Sequence, residues 1–199
     1  MSNIFNKVEA EAFRAGITPR TKESQSWFRR KVQNMRGLNR RALMREEPIT
    51  MKSKQTARQE TGIGDMFMFF YDAKHKDTLP YWDAFPLVII VGPAKGGFYG
   101  LNLHYLPIPL RAKFLDSLMS VTNNKAWDET TKFQTTYSML KASAKMKYFK
   151  PCLKHYLTSQ VEGQLALVSP PEWEIATFLP TAQFQGNKNQ VYKDSRSMI

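Results

Sequence analysis

Pro86–Val91 is a short β-branched run that stops at the turn Gly92-Pro-Ala-Lys-Gly-Gly97, and from Tyr99 to Tyr105 the chain then alternates. Tyr99, Leu101, Leu103 and Tyr105 fall on one face of such a strand, and Asn102 and His104 share the other. Upstream, Asp65–Tyr71 (DMFMFFY) follows Gly64, is rich in aromatics and methionine, and reads as a buried strand. Lys74–Asp83 carries Pro80 and reads as a loop. Three strands on such short connections predict an α+β body built on a small antiparallel meander or barrel.

Helices flank this body. Pro109 to Val121 places Leu110, Phe114, Leu115, Leu118 and Met119 on one face. Asp128 is an N-cap for a helix running to about Lys145, with Phe133, Tyr137 and Leu140 inward, and Pro151 blocks continuation. Gln164–Val168 reads as a further strand. Ser169-Pro-Pro-Glu172 is the clearest local signal: a capping-box serine, a proline at the first helical position and a glutamate at the third start a helix through Phe178. Pro180 ends it.

Charge divides the chain unevenly. Of a formal net charge of +12, residues 1–60 hold +8 and residues 61–199 hold +4. Between Glu23 and Arg45, Phe28, Val32, Met35 and Leu38 form an apolar stripe at helical spacing, ringed by Arg29, Arg30, Lys31, Arg36, Arg40, Arg41 and Arg45. Gly37 would kink it, and residues 48–64 read as an extended polar linker. The expected division is a basic, partly helical arm and linker over 1–60, the body over 61–182, and a polar tail over 183–199, lying on the surface or on a partner. A localised cationic excess captures a polyanion, or docks on an acidic protein surface. The lone Cys152 excludes an internal disulfide. The N-terminus lacks a signal-peptide pattern, and the longest apolar runs, such as Phe85–Val91, are far short of the ~20 residues of a membrane span. These features point to a chain made in a cytosol and soluble there.

No reactive centre emerges. Lys95 precedes Gly96 and Gly97 with a strand next, which is an inter-strand turn and not the GxxxxGK[ST] phosphate loop. Cys152 and His155, with His104 and His75 elsewhere, do not make the paired ligand set of a zinc site, and no third group orients them as nucleophile and base. Asp72, Asp77 and Asp83 are interrupted by Lys74, His75 and Lys76, which opposes a clustered cation site. Asn102 and His104 read as structural. Lys141–Lys154 (KASAKMKYFKPCLK) interleaves Lys147 and Lys150 with Tyr148 and Phe149, a pattern that fits core aromatics with solvated lysines better than it fits phosphates and exposed bases.

The segments FFYDAKHKDTLPYWDAFPLVIIV, GGFYGLNLHYLPIPLRAKFLDSL and KMKYFKPCLKHYLTSQVEGQLALVSPPEWEIATFLPT resemble the DNA end protector (head-completion) family of T-even-type tailed phages, including cyanophages, over about residues 64–199. The resemblance implies a virion protein that acts after packaging, shields the ends of linear double-stranded DNA and readies the head for its tail. It implies no catalytic residues, cofactor, metal or small-molecule substrate. The strand pattern is also similar to SH3-like barrels of the toxin ribonuclease type, a likeness of fold alone.

The sequence therefore supports a non-enzymatic virion protein that contacts DNA without reading its sequence, through Arg29, Arg30, Lys31, Arg36, Arg40 and Arg41 with Lys147 and Lys150. Its other partners would be virion proteins of the head–tail connection. The alternative is an assembly protein of the neck or baseplate with no DNA contact, anchored through Trp27, Phe28, Val32 and Met35 on an acidic neighbour. A nuclease or barrel-type ribonuclease is the third class.

Overall fold

The computed structural model describes residues 4–19, 21–34, 62–145, 149–179 and 181–197. Its strands are β1 (Met66–Tyr71), β2 (Trp82–Asp83), β3 (Leu87–Ala94), β4 (Gly97–Asn102), β5 (Leu153–Leu157), β6 (Val161–Val168) and β7 (Phe184–Gln185). Five form an antiparallel sheet in the order β5-β4-β3-β1-β6, and β2 pairs with β7. The expected hairpin is present, but its strands reach further into the turn: Ala94 faces Gly97, a bulge falls between Ile90 and Gly92, and Gly96 takes φ 74°. At the far end β4 stops short of Tyr105. The Asn102 side chain accepts the His104 N–H at 3.0 Å and tips Leu103–Tyr105 into a 3₁₀ turn.

Alternation explains why β1 is apolar throughout. Met66, Met68, Leu87, Ile89 and Leu101 lie in the main core with the helices, while Phe67, Phe69, Val88, Ile90, Phe98 and Tyr156 form a second buried cluster. No helix contributes to the second cluster among the described residues; both sheet edges do, through Tyr156 of β5 and Val161, Leu165 and Leu167 of β6. The sheet therefore curls over its own aromatic face, where the Phe69 ring meets Phe98 and Tyr156 edge-on at 5.9 and 5.3 Å. A single 3₁₀ turn, Thr158–Gln160, joins β5 to β6. No ladder pairs these two edges among the described residues, so the result is an open, curled α+β sheet and not a closed barrel.

The helices among the described residues are α1 (Ile4–Arg14), α2 (Lys22–Gln33), α3 (Ile108–Thr122), α4 (Glu129–Lys145), α5 (Trp173–Phe178) and α6 (Lys188–Ser197). The caps read from sequence form. Asp128 accepts the Thr131 N–H at 2.7 Å, and Glu172 accepts the Ser169 N–H and hydroxyl, both at 2.7 Å. A 3₁₀ turn, Pro170–Glu172, leads into α5, whose six residues are all buried.

Two expectations about the ends are corrected. Residues 4–33 are not an arm ahead of the body. Phe5, Val8, Phe28 and Val32 sit in the main core, and α1 and α2 pack on α5. The Ser24 hydroxyl donates to Glu174, and Gln25 Nε2 donates to Asp116 at 2.8 Å. The apolar stripe of α2 is real, but it faces inward. The polar tail likewise contains β7 and α6, which bury Phe184 and Val191. Polar composition hid that tail because α6 needs only one inward face.

Candidate functional site

A cleft of about 540 Å³ opens where four stretches of chain meet beside β5. Tyr71 ends β1, and the proline-bearing loop that follows supplies Lys74, His75, Leu79 and Tyr81. Trp82 and Asp83 come from β2, Tyr105 from the turn after β4, and Leu153 to Leu157 from β5. Tyr71, Tyr81, Trp82, Tyr105 and Tyr156 thus give the walls a large aromatic share. Burial raises the phenols of Tyr71, Tyr81, Tyr105 and Tyr156 above their ordinary value, which keeps these rings neutral. Tyr81 donates its hydroxyl to Asp194 of α6 at 3.2 Å, and its ring lies 6.0 Å from that of Tyr105. Tyr105 in turn meets Phe184 edge-on at 5.0 Å.

One cation enters this aromatic space. Lys154 Nζ lies 4.3 Å from the centre of the Tyr105 ring. Among the described residues no carboxylate pairs with it. Burial lowers the ammonium below the usual lysine range, with the neighbouring Cys152 opposing that shift. Lys74, His75 and His155 stand exposed around the rim. Flat neutral rings beside such a cation can hold a planar group and an anion together.

Next to the cleft lies a chain of groups that resembles a catalytic triad. Asp83 Oδ2 is 2.6 Å from His104 Nδ1, and His104 Nε2 is 3.2 Å from Thr181 Oγ1. Asp83 also accepts from Asn102 Nδ2 at 3.0 Å and from the backbone N–H groups of Phe85 and Gln183 at 3.1 and 3.0 Å. Burial alone would raise this carboxyl, but His104 and these hydrogen bonds outweigh it and hold it below the usual carboxylate range. His104 and Thr181 are 0% exposed. A hydroxyl sealed this way reaches no substrate. The network instead ties β2, the turn after β4 and the chain entering β7 together, and the structural reading of Asn102 and His104 stands.

The other candidates separate. Cys152 is buried, and burial pushes its thiol up to about 12. His155 turns instead to the Lys95 carbonyl at 3.1 Å. Asp72 pairs with Lys76 at 2.9 Å, apart from the buried Asp83, and among the described residues no acid, histidine or cysteine cluster could hold a metal.

Of the residues expected to meet DNA, Arg29 and Arg30 are exposed on the outer face of α2, and Lys31 pairs with Glu11 of α1. Lys150 is exposed. Arg36, Arg40, Arg41 and Lys147 lie outside the described residues, as does Met35. Phe28 and Val32 are buried inside this chain and cannot anchor a partner, and Trp27 is half-buried with its ring edge-on to Phe28 at 5.1 Å. Phe149 packs on Phe114 at 4.8 Å and so belongs to the core, not to a base-stacking surface. Sequence reasoning missed Tyr71, Tyr81, Trp82 and Tyr105 as a group. The only local hint was the adjacent Tyr81 and Trp82 in a loop.

The family model described as Phage T4 terminal DNA protecting protein matches residues 3–197. The match takes in α1 and α2, which the resemblance over 64–199 left out. No curated protein and no solved structure matches the chain.

Proposed function

Because the chain belongs to the family of the phage T4 terminal DNA protecting protein, we propose that it is a non-enzymatic virion protein that binds the ends of packaged double-stranded DNA and shields them. The observation that carries this reading is the extent of the family match, which runs from α1 through α6. A net charge of +12 supports it, because phosphate neutralisation supplies sequence-independent affinity. Arg29 and Arg30, turned outward on a helix whose other face is locked in the core, are phosphate contacts on a rigid support. Arg36, Arg40, Arg41, Lys147 and Lys150 extend the same role. The sealed triad-like chain supports binding without cleavage. Strand order β6-β1-β3-β4-β5, with a 3₁₀ turn between the edges, also fits an SH3-like sheet that remains open. Completing the head and meeting neighbouring virion proteins of the neck belong to the same proposal. The rival, an assembly protein without DNA contact, would lack Phe28 and Val32 as anchors, since both are buried in the core.

Exonuclease digestion tests the proposal. Linear duplex saturated with the protein is expected to survive digestion from its ends, and naked duplex to disappear. With about five phosphates neutralised, log K falls against log salt with a slope of about −4 to −5. The double variant R29Q/R30Q should reduce that slope by about 2 and change stability by no more than about 0.5 kcal/mol, since both side chains are exposed. Affinity indifferent to salt, or ends digested at the naked rate, would sink the DNA reading.

A further inference from the structure

We infer that the cleft beside β5 seats the terminal, unpaired nucleotide of a DNA end, its base against Tyr81 and Trp82 and its phosphate on Lys154. This rests on the end-binding reading above and names the site that would make it specific for ends. Inside a duplex each base is covered on both faces by its neighbours. Only a frayed or overhanging terminal nucleotide offers a free ring face and a phosphate that move together. A pocket that works by stacking therefore recognises ends, ignores the duplex interior and accepts any base.

The cleft has the required parts. At about 540 Å³ it lies within the roughly 300–1,000 Å³ of small-ligand pockets. Tyr81 and Trp82 are half-buried, and Tyr81 packs against the main core. Both are held in advance: the Tyr81 hydroxyl is tied to Asp194, and Trp82 is paired with Gln185 in the β2–β7 ladder. Lys154 lies over Tyr105 with no carboxylate partner among the described residues, so a phosphate would supply an anion that those residues do not. Lys74, exposed on the rim, adds a second cation to the same cleft.

The test uses the full chain and linear duplexes carrying 2-aminopurine either in a short terminal overhang or at mid-duplex, with closed circular duplex as the end-free control. Wild type is expected to quench the terminal probe on binding and leave the internal one unchanged. W82A should lower the ratio of end affinity to circle affinity roughly tenfold or more, and K154Q should lower it similarly, with K154R restoring most of it. The wild-type fluorescence needs no variant to fold. A saturated wild-type complex that prefers ends yet leaves the terminal probe bright overturns this inference alone, as does a folded W82A that keeps the wild-type ratio. A wild type that binds circles as tightly as ends overturns the end-binding reading together with it.

Discussion

Replacing Asp83 with alanine is expected to remove about 3–5 kcal/mol of stability, the usual cost of taking one partner out of a buried, hydrogen-bonded pair of titratable groups. The change strands His104 Nδ1, Asn102 Nδ2 and the N–H groups of Phe85 and Gln183, all of which now end on this one carboxylate. Each buried donor left without an acceptor costs about 1–3 kcal/mol. For a chain of this length the loss corresponds to a fall in melting temperature of roughly 6–20 °C, measurable by circular dichroism. The sign with pH follows from the folded carboxyl lying below its ordinary value. The unfolded chain then binds the proton more readily, so stability rises with pH through that window. Asp83 contributes fully above its unfolded value of about 3.9 and loses that contribution as pH falls through its lower folded value. Wild type should therefore destabilise steeply below about pH 4, and D83N should lack that part of the acid limb. A D83A protein that melts with wild type would show that the network adds nothing.

Asp83 also shows where sequence reasoning reaches its limit. Period-two alternation revealed β4, because a half-buried strand writes its two faces into consecutive residues, and short aromatic or β-branched runs between turn signals revealed β1 and β3. Capping chemistry located the starts of α4 and of the turn into α5, because an N-cap acts on residues three positions away. Both signals are local. The apolar face of α2 was equally legible in Phe28 and Val32, but what it covers was not. Ser24 meets Glu174 from 150 residues away, so an inward helix and a free amphipathic arm look alike in sequence. β5 was hidden for another reason. Its alternation runs through Lys154 and His155 and carries too few apolar residues to stand out from a basic stretch. The cleft combines both difficulties, since its rings come from β1, a loop, β2, a 3₁₀ turn and β5, and none of these segments is distinctive alone.

Gly97→Ala is expected to cost about 3 kcal/mol, the upper end for overpacking, and to disturb the cleft as well. A β-carbon at Gly97 would fall 1.8 Å from the carbonyl oxygen of Tyr156 and 2.9 Å from its carbonyl carbon. Those are backbone atoms of the paired strand, so no rotamer can relieve the clash and the β4–β5 ladder must open. Gly92→Ala is the matched control: a β-carbon there meets nothing within 4 Å and its φ is ordinary, so its effect should be about zero or slightly stabilising. The same strand carries Lys154 and Tyr156, which line the cleft. G97A should therefore lose quenching of a terminal 2-aminopurine probe even at temperatures where it remains folded, while G92A keeps it. Equal melting temperatures for the two variants would mean that β4 and β5 are not held as close as the ladder requires. Wild-type quenching in a destabilised G97A would separate the cleft from β5 and leave the aromatic loop alone to hold the nucleotide.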